Sequence, residues 1–346
     1  CALPILLADP ARYYKGGKPD LQLFDKKLYE VNPDDKVAIA RAAAEEVLGK
    51  DERIISVDSS YSDGEGSSYR LISNGFEGES KSTWFSVSAS VSIKGEGEAR
   101  PQDYWYDSAL FYDKLTKTGI GAKALERVLR KLGQKKAKSG KYTMVVDPMN
   151  VGNLLSPMLS ALYGSALQQK NSFLMDKLDT KVASDLFTLR DEPHAIGANG
   201  SRYFDNEGVA TEPRTVFDKG VLKTYFIDTY NGKKMDIAPT ISAPSRLILT
   251  PGDKDLNGLV ADIKQGILVT GFNGGNSNSS TGDFSYGIEG FLIEDGKLTQ
   301  PVNEMNVTGN MVTLWNSLVA VGNDPQPNRS WQIPSLVFEG VDFSGL

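Results

Sequence analysis

The side chains able to do chemistry are few in this sequence, and their scarcity is informative. The 346 residues contain one His, His194, and one Cys, Cys1. A lone Cys makes no intrachain disulfide and rules out a multi-Cys zinc or iron–sulfur site. A lone His rules out a two-His metal triad built from this chain and leaves His194 as the sole candidate for imidazole chemistry. It stands in Asp191-Glu192-Pro193-His194, which reads as an exposed turn. Neither a G-x-S-x-G elbow nor an S-x-x-K motif is present to activate a serine. Ser139-Gly140-Lys141-Tyr142 ends like a phosphate loop but has Tyr142 where a Mg²⁺-holding Ser or Thr belongs. Gly119-Ile120-Gly121-Ala122-Lys123-Ala124 fits a relaxed G-x-G-x-x-A, yet it follows Leu115-Thr116-Lys117-Thr118, which is no buried strand, so it reads as a helix start.

Carboxylates and one unusual run remain. Asp205, Glu207, Asp283, Glu289 and Glu294 lie near turns. Acid–base or hard-metal chemistry would require such groups to converge. Gly271–Gly275 with Asn276–Thr281 reads as a Gly/Asn/Ser-rich loop continuing to Gly287, and its small residues would let a substrate backbone come close.

The elements that must position these residues follow from periodicity. Asn32-Pro33-Asp34-Asp35 caps a helix that Gly49 stops. Phe85, Val87, Ala89, Val91 and Ile93 alternate with Ser86, Ser88, Ser90 and Ser92, a strand with one dry face and one serine face. Ile54–Val57, Tyr69–Ile72 and Tyr104–Tyr106 are expected to join it in an antiparallel sheet, with a second helix over Gly121–Leu132. The basic stretch Gln134–Lys141 reads as a solvated linker and domain boundary, and residues 1–31 as an extended connector. Beyond it come strand Tyr142–Val146 and helix Pro148–Gln168. Hairpins are expected at Asp218-Lys219-Gly220 (before strand Val221–Ile227) and at Asp295-Gly296, with further strands at Thr308–Leu314 and Ser335–Phe338. The expected architecture is α+β in two domains. Residues 1–140 form an N-terminal sheet with helices on one face, incomplete in this sequence. Residues 141–346 form a mainly antiparallel, barrel-like β domain.

Charge excludes some partners. With 38 Lys and Arg against 44 Asp and Glu, the net charge is −6, which argues against sequence-independent nucleic-acid binding. No apolar run reaches the ~18 residues of a membrane helix. The single Cys is compatible with a reducing, cytoplasmic setting. The start lacks Met and a basic leader, which reads as the interior of a longer product.

Several blocks carry a family resemblance. Ser201-Arg202-Tyr203-Phe204-Asp205-Asn206-Glu207-Gly208-Val209 resembles the S-x-x-F-D-x-E-G-V block of the TldD/PmbA family, with Ser201, Asp205, Glu207 and Gly208 as motif positions. Gly274-Gly275…Thr281-Gly282-Asp283-Phe284-Ser285-x-Gly287, then Gly290-Phe291-x-Ile293-Glu294-x-Gly296, resembles a second block, and Pro301-Val302-x-Glu304…Gly309-Asn310 a third. Lys170-Asn171-Ser172-Phe173-Leu174 and Asp20-Leu21-x-Leu23-Phe24-Asp25 fit the same pattern. The family, often labelled "modulator of DNA gyrase", resembles subunits of a cytoplasmic metalloprotease that trims or degrades unfolded peptides. The TldD type carries H-E-x-x-x-H on the helix entering the C-terminal domain. Here that helix reads Asn153-Leu154-Leu155-Ser156-Pro157-Met158-Leu159-Ser160-Ala161-Leu162, with no His or Glu. The resemblance therefore implies the PmbA (TldE) type, and roughly another hundred residues upstream.

The resemblance implies a subunit without its own catalytic residues, metal or cofactor. It would bind peptide through Gly274, Gly275, Asn276, Thr281, Gly282, Asp283 and Ser285, help enclose a chamber, and rely on a TldD-like partner for zinc or another divalent metal. Alternatives are an independent homodimeric peptide- or ligand-binding protein, a modulator of DNA gyrase through protein contacts, and an enzyme with a carboxylate-held metal near Asp205, Glu207 or Asp283.

Overall fold

The computed structural model describes residues 6–346; Cys1 lies outside them. After 3₁₀ turns at Pro10–Arg12 and Lys26–Tyr29 come α1 (Pro33–Glu45), β1 (Ile54–Ile72), β2 (Phe76–Ile93), β3 (Gln102–Ala109) and α2 (Ile120–Arg130). The three strands form one antiparallel sheet in the order β1-β2-β3. Its dry face is the alternation read from sequence. Phe85, Val87, Ala89, Val91 and Ile93 pack with Ala43 and Val47 of the first helix segment and Ile120, Ala124, Leu125 and Val128 of α2 in one cluster. Both helices thus cover one face, as expected, and the serines point to the other.

α1 begins as predicted: the Asn32 side chain accepts the Asp35 N–H, and Pro33 occupies the first turn. Its far end caps the next helix. Glu46 accepts the N–H of Gly119 at 2.6 Å, of Gly121 at 2.8 Å and of Ala122 at 3.1 Å. The G-x-G-x-x-A run is a helix start whose free donors are already taken by an internal carboxylate, so no phosphate cradle remains. Gly121 is required for this packing, because a Cβ there would stand 1.9 Å from the Ala43 carbonyl oxygen.

The rest of the chain comprises β4 (Gly140–Val146), α3 (Val151–Ser160), α4 (Gly164–Gln168), β5 (Leu189–Asp191), β6 (Arg214–Asp218), β7 (Val221–Leu222), α5 (Thr229–Met235) and β8 (Leu247–Leu249). These are followed by α6 (Leu256–Ala261), β9 (Gln265–Ser277), β10 (Asp283–Glu294), β11 (Lys297–Asn310), α7 (Met311–Asn316), β12 (Leu318–Val321), β13 (Trp331–Gln332) and β14 (Leu336–Ser344). One sheet runs β11-β10-β9-β4-β14-β12, and β14 also pairs with β11, which closes five of the six strands into a ring. Only β4–β9 is parallel in it, so the mainly antiparallel, barrel-like α+β expectation holds. A second sheet of five short strands runs β13-β8-β5-β6-β7. The large core holds α3 residues Leu154, Leu155, Met158 and Leu159, barrel strands, and Trp315.

Several expectations are corrected. Ile54–Val57 and Tyr69–Ile72 are the two ends of one strand, β1. Gly64, Gly66 and the polar residues between them hide the alternation, but backbone pairing with β2 is continuous from Ser56 to Ile72. The helix expected over 148–168 breaks before Gly164, whose N–H bonds the Phe226 carbonyl at 2.7 Å instead of extending α3. Val221–Ile227 is a strand only to Leu222. Thr308–Leu314 stops as a strand at Asn310, whose side chain accepts the Val312 N–H and starts α7. The basic stretch is tied down rather than solvated: Lys135 N–H bonds Pro301 O at 3.1 Å, and buried Ala137 accepts the Leu346 N–H at 3.0 Å. The connector is also anchored, since Tyr13 is buried and bridges Val209, and Tyr14 N–H bonds Gly208 O at 3.0 Å. Both predicted hairpin turns form, with Lys219 and Gly220, and Asp295 and Gly296, at positive φ.

Glu46→Ala should lower the unfolding free energy by about 1–2 kcal/mol, the range of a lost helix cap, measured by urea denaturation of the purified protein.

Candidate functional site

The motif block is built around buried Asp205. Its Oδ1 accepts the N–H of Glu207 at 2.8 Å and of Val209 at 3.0 Å, and its Oδ2 accepts the Ser242 N–H at 3.0 Å. Glu207 reaches away to α5, where Oε2 accepts Thr229 N–H at 3.0 Å and Thr229 Oγ1–H at 2.9 Å. Desolvation raises the Glu207 carboxyl above its usual range, and these two hydrogen bonds partly oppose the rise. Ser201 donates to Ala195 O at 2.7 Å. Gly208 has φ of +79°, and a Cβ on it would fall 2.5 Å from the Phe76 ring. Each of the four motif positions therefore closes a loop or admits a neighbour. Among the described residues no three His, Cys, Asp or Glu side chains gather where they could hold a metal.

His194 is half-buried rather than an exposed turn residue. Its Nε2 lies 3.0 Å from Thr211 Oγ1 and its ring centre 5.0 Å from that of Tyr203. Burial and the Lys18 charge push its pKa down, toward neutral imidazole. No serine or carboxylate completes a triad with it among the described hydrogen bonds.

The run from Gly271 to Gly287 is not a loop but most of a hairpin. Gly274, Gly275 and Asn276 belong to β9, Asp283 and Ser285 to β10, and only Asn278–Gly282 turn. Gly-rich sequence looks like loop, yet here glycine serves strand contact: Gly275, at φ +99°, would place a Cβ 2.1 Å from Ser285 O. The turn is held from three sides. Phe173 N–H bonds Ser279 O at 2.9 Å, Met311 N–H bonds Gly282 O at 2.8 Å, and Asn310 Nδ2 donates to Thr281 O at 2.8 Å. Thr281 Oγ1 donates to Asp283 Oδ2 at 2.7 Å. Hydrogen bonds from Asn310 and Thr281 hold the Asp283 carboxyl below its usual range. The candidate residues Gly274, Gly275, Asn276, Thr281, Asp283 and Ser285 are exposed, and Gly282 is buried. β4 pairs with β9 only over Gly266–Val269, so beyond Thr270 the outer edge of β9 has no strand beside it among the described residues.

Sequence reasoning missed Asp147, at the end of β4 and the head of α3. It is buried, and desolvation raises its carboxyl to about 6 despite hydrogen bonds from Asn150 N–H at 3.0 Å and Nδ2 at 2.7 Å. Nothing in its sequence neighbourhood signals this burial, whose effect the charge of Arg127 from α2 partly offsets. A raised carboxyl favours the protonated folded state. Its contribution to stability is therefore full below pH 4 and is lost as pH rises through about 6; the displacement from 3.8 corresponds to about 3 kcal/mol. Asp147→Asn should remove that loss, so thermal melts of the variant and the parent should diverge between pH 4 and 7, with the variant the more stable at pH 7.

Comparison with known proteins agrees with this architecture. Family models for the PmbA/TldA metallopeptidase central domain and C-terminal domain match residues 26–132 and 139–345. A metalloprotease PmbA homolog of Haemophilus influenzae is 30% identical over 335 residues, covering 94% of this chain and 73% of the relative. The metalloprotease PmbA of Escherichia coli O157:H7 is 28% identical over 331 residues with the same coverage, 94% and 73%. A crystal structure from Bacteroides thetaiotaomicron, provisionally described as a modulator of DNA gyrase, is 74% identical with a TM-score of 0.97, covering 98% of this chain and 78% of that one. TldE from Thermococcus kodakarensis, at 22% identity and TM-score 0.79 over 99% of this chain and 80% of its own, shares the fold. With both of its halves matched, and with the second and third motif blocks on β9, β10 and β11 of a closed β ring, the chain belongs to the PmbA/TldD family of metallopeptidase-like proteins.

Proposed function

We propose that the chain is the PmbA/TldE-type subunit of a TldD/TldE-like metallopeptidase assembly acting on unfolded peptides in the cytoplasm, binding peptide and helping to form the chamber without holding the metal itself. The observation that carries this reading is α3. The resemblance puts the metal motif of TldD-type chains on this helix. Here Leu154, Leu155, Met158 and Leu159 are buried in the core, and the other helix residues are Val151, Gly152, Asn153, Ser156, Pro157 and Ser160. None offers an imidazole or carboxylate, so the residues present do not fit a zinc site. Such a pair would draw its zinc or other divalent ion, and the activated water, from the TldD-like partner.

The peptide-binding half of the reading is supported by the outer half of β9. An extended chain laid along its open edge would gain main-chain hydrogen bonds whatever its side chains, which suits a sequence-tolerant substrate. Gly274, Gly275 and Asn276 put little bulk beside that edge. Among the described residues no helix is long and apolar enough to cross a membrane.

Mixing this protein with a TldD-like partner and measuring cleavage of denatured casein tests the proposal. The expected outcome is a stable complex by size-exclusion chromatography, cleavage by the pair, and none by this chain alone with added Zn²⁺. Chelator-sensitive hydrolysis by this chain alone would overturn the non-catalytic role. Failure to associate, with no gain in activity, would overturn the partnership.

A further inference from the structure

The motif block borders a cavity that the peptide edge does not use. It has about 410 Å³ and lies where three segments meet: residues 14–23, the outer half of the β1–β2 hairpin, and Ser201–Asn206. Four cations line it, Lys18, Arg70, Lys81 and Arg202. Lys81 is paired with Glu65 at 3.3 Å. The other three have no carboxylate within 4.0 Å among the described residues. Arg202 donates through Nε to Ser245 Oγ and through Nη2 to the Ala243 and Pro244 carbonyls, so its guanidinium is committed to a loop outside the cavity lining. The Lys18 ammonium sits 5.4 Å from the Tyr203 ring centre, and Tyr203 stacks on Tyr14 at 5.2 Å.

The carboxylates that line the cavity, Asp20, Glu79 and Asp205, make no ion pair with Lys18, Arg70 or Arg202 among the described residues. Asp205 accepts three backbone N–H groups, and Asp20 accepts the Gln22 N–H at 2.9 Å. Glu79 stands opposite Tyr69 in the ladder, so strand alternation puts it on the face opposite to Arg70. A half-enclosed hollow with uncommitted guanidinium and ammonium donors over an aromatic floor attracts an oxyanion carried on an organic group. Arg70 and Ser68 also lie on β1, an edge strand of its sheet, where an extended chain can approach.

We propose that this cavity recognises the free C-terminal carboxylate of an extended peptide, with Arg70 and Lys18 as donors and Tyr14 and Tyr203 as the floor beneath the last residue. The site rests on the reading of this protein as a peptide-handling subunit and adds a second contact to it, one that selects chain ends. An acidic side chain or inorganic phosphate offers related chemistry, and the experiment separates these sources.

The test is fluorescence anisotropy with the whole protein and a fluorescein-labelled decapeptide of Ala, Gly and Ser, as the free acid, as the C-terminal amide, and as the amide with one internal Glu. The free acid should bind about tenfold tighter than either amide. Arg70→Gln and Lys18→Gln should each weaken the free acid by about fivefold or more while leaving the amide and the melting temperature unchanged. Inorganic phosphate should compete with the free acid. Equal binding of acid and amide, no binding of any peptide, or unchanged affinity in both variants would overturn the proposal. Equal binding of the Glu-bearing amide would overturn its selectivity for chain ends, and phosphate binding without peptide binding would mark a small-anion site instead. The measurement needs no partner, metal or cleavage, so its outcome is independent of the cleavage test.

Discussion

Phe76, at the tip of the long N-terminal hairpin, lies on Gly208 of the C-terminal half, and most of the structure depends on that contact. The ring is almost wholly buried, packed 5.2 Å from Tyr13 and 5.1 Å from Phe204 by centroid. It can sit there only because Gly208 has no Cβ and adopts a left-handed backbone. That backbone is held in turn by Asp205, whose carboxylate gathers N–H groups from Glu207, Val209 and Ser242. The most recognisable string in the sequence is thus a lock between halves. The same lock shapes the hollow beside it, because the strap, the hairpin and the motif loop are brought together by the ring they share.

A second tie lies at the C-terminal end of α2. Lys131 is buried and reaches both Asp103 of β3, at 3.2 Å, and Glu289 of β10, at 2.7 Å. Asp103 belongs to the same half as Lys131, so Glu289 is the carboxylate that reaches this ammonium from the C-terminal half, and its loss would leave the buried charge with Asp103. With Phe76 against the motif loop at one end and Lys131 bonded to β10 of the closed β ring at the other, the three-stranded sheet is fastened to the C-terminal half at two separated points.

The elements most legible in sequence were those with strong local causes. The Asn32 cap, the dry alternation of β2, and the two hairpins with Gly at the second turn position all formed as read. The elements misread were those whose local composition conflicts with their long-range pairing. The middle of β1 and the outer part of β9 are rich in Gly, Ser and Asn, which favour turns in isolation, yet both are strands because a neighbouring strand pairs with them, unbroken along the middle of β1 and with a register shift along β9. The helix after β4 looked long because its apolar spacing continues past Leu162, but Gly164 must approach α5 and Phe226, and the chain breaks to allow it.

The sequence by itself determined what this chain lacks and to which family it belongs. One His, one Cys and an apolar α3 are matters of composition and local pattern, and they bear on metal chemistry without reference to any fold. Tertiary structure alone decided what the remaining polar groups do. Asp205 and Glu207 looked like chemistry and serve as backbone acceptors, whereas Asp147 looked ordinary and has a carboxyl raised to about 6. The physical reason is the same in each case: a carboxylate's role is set by which N–H groups, charges and low-dielectric surfaces surround it, and those arrive from parts of the chain distant in sequence.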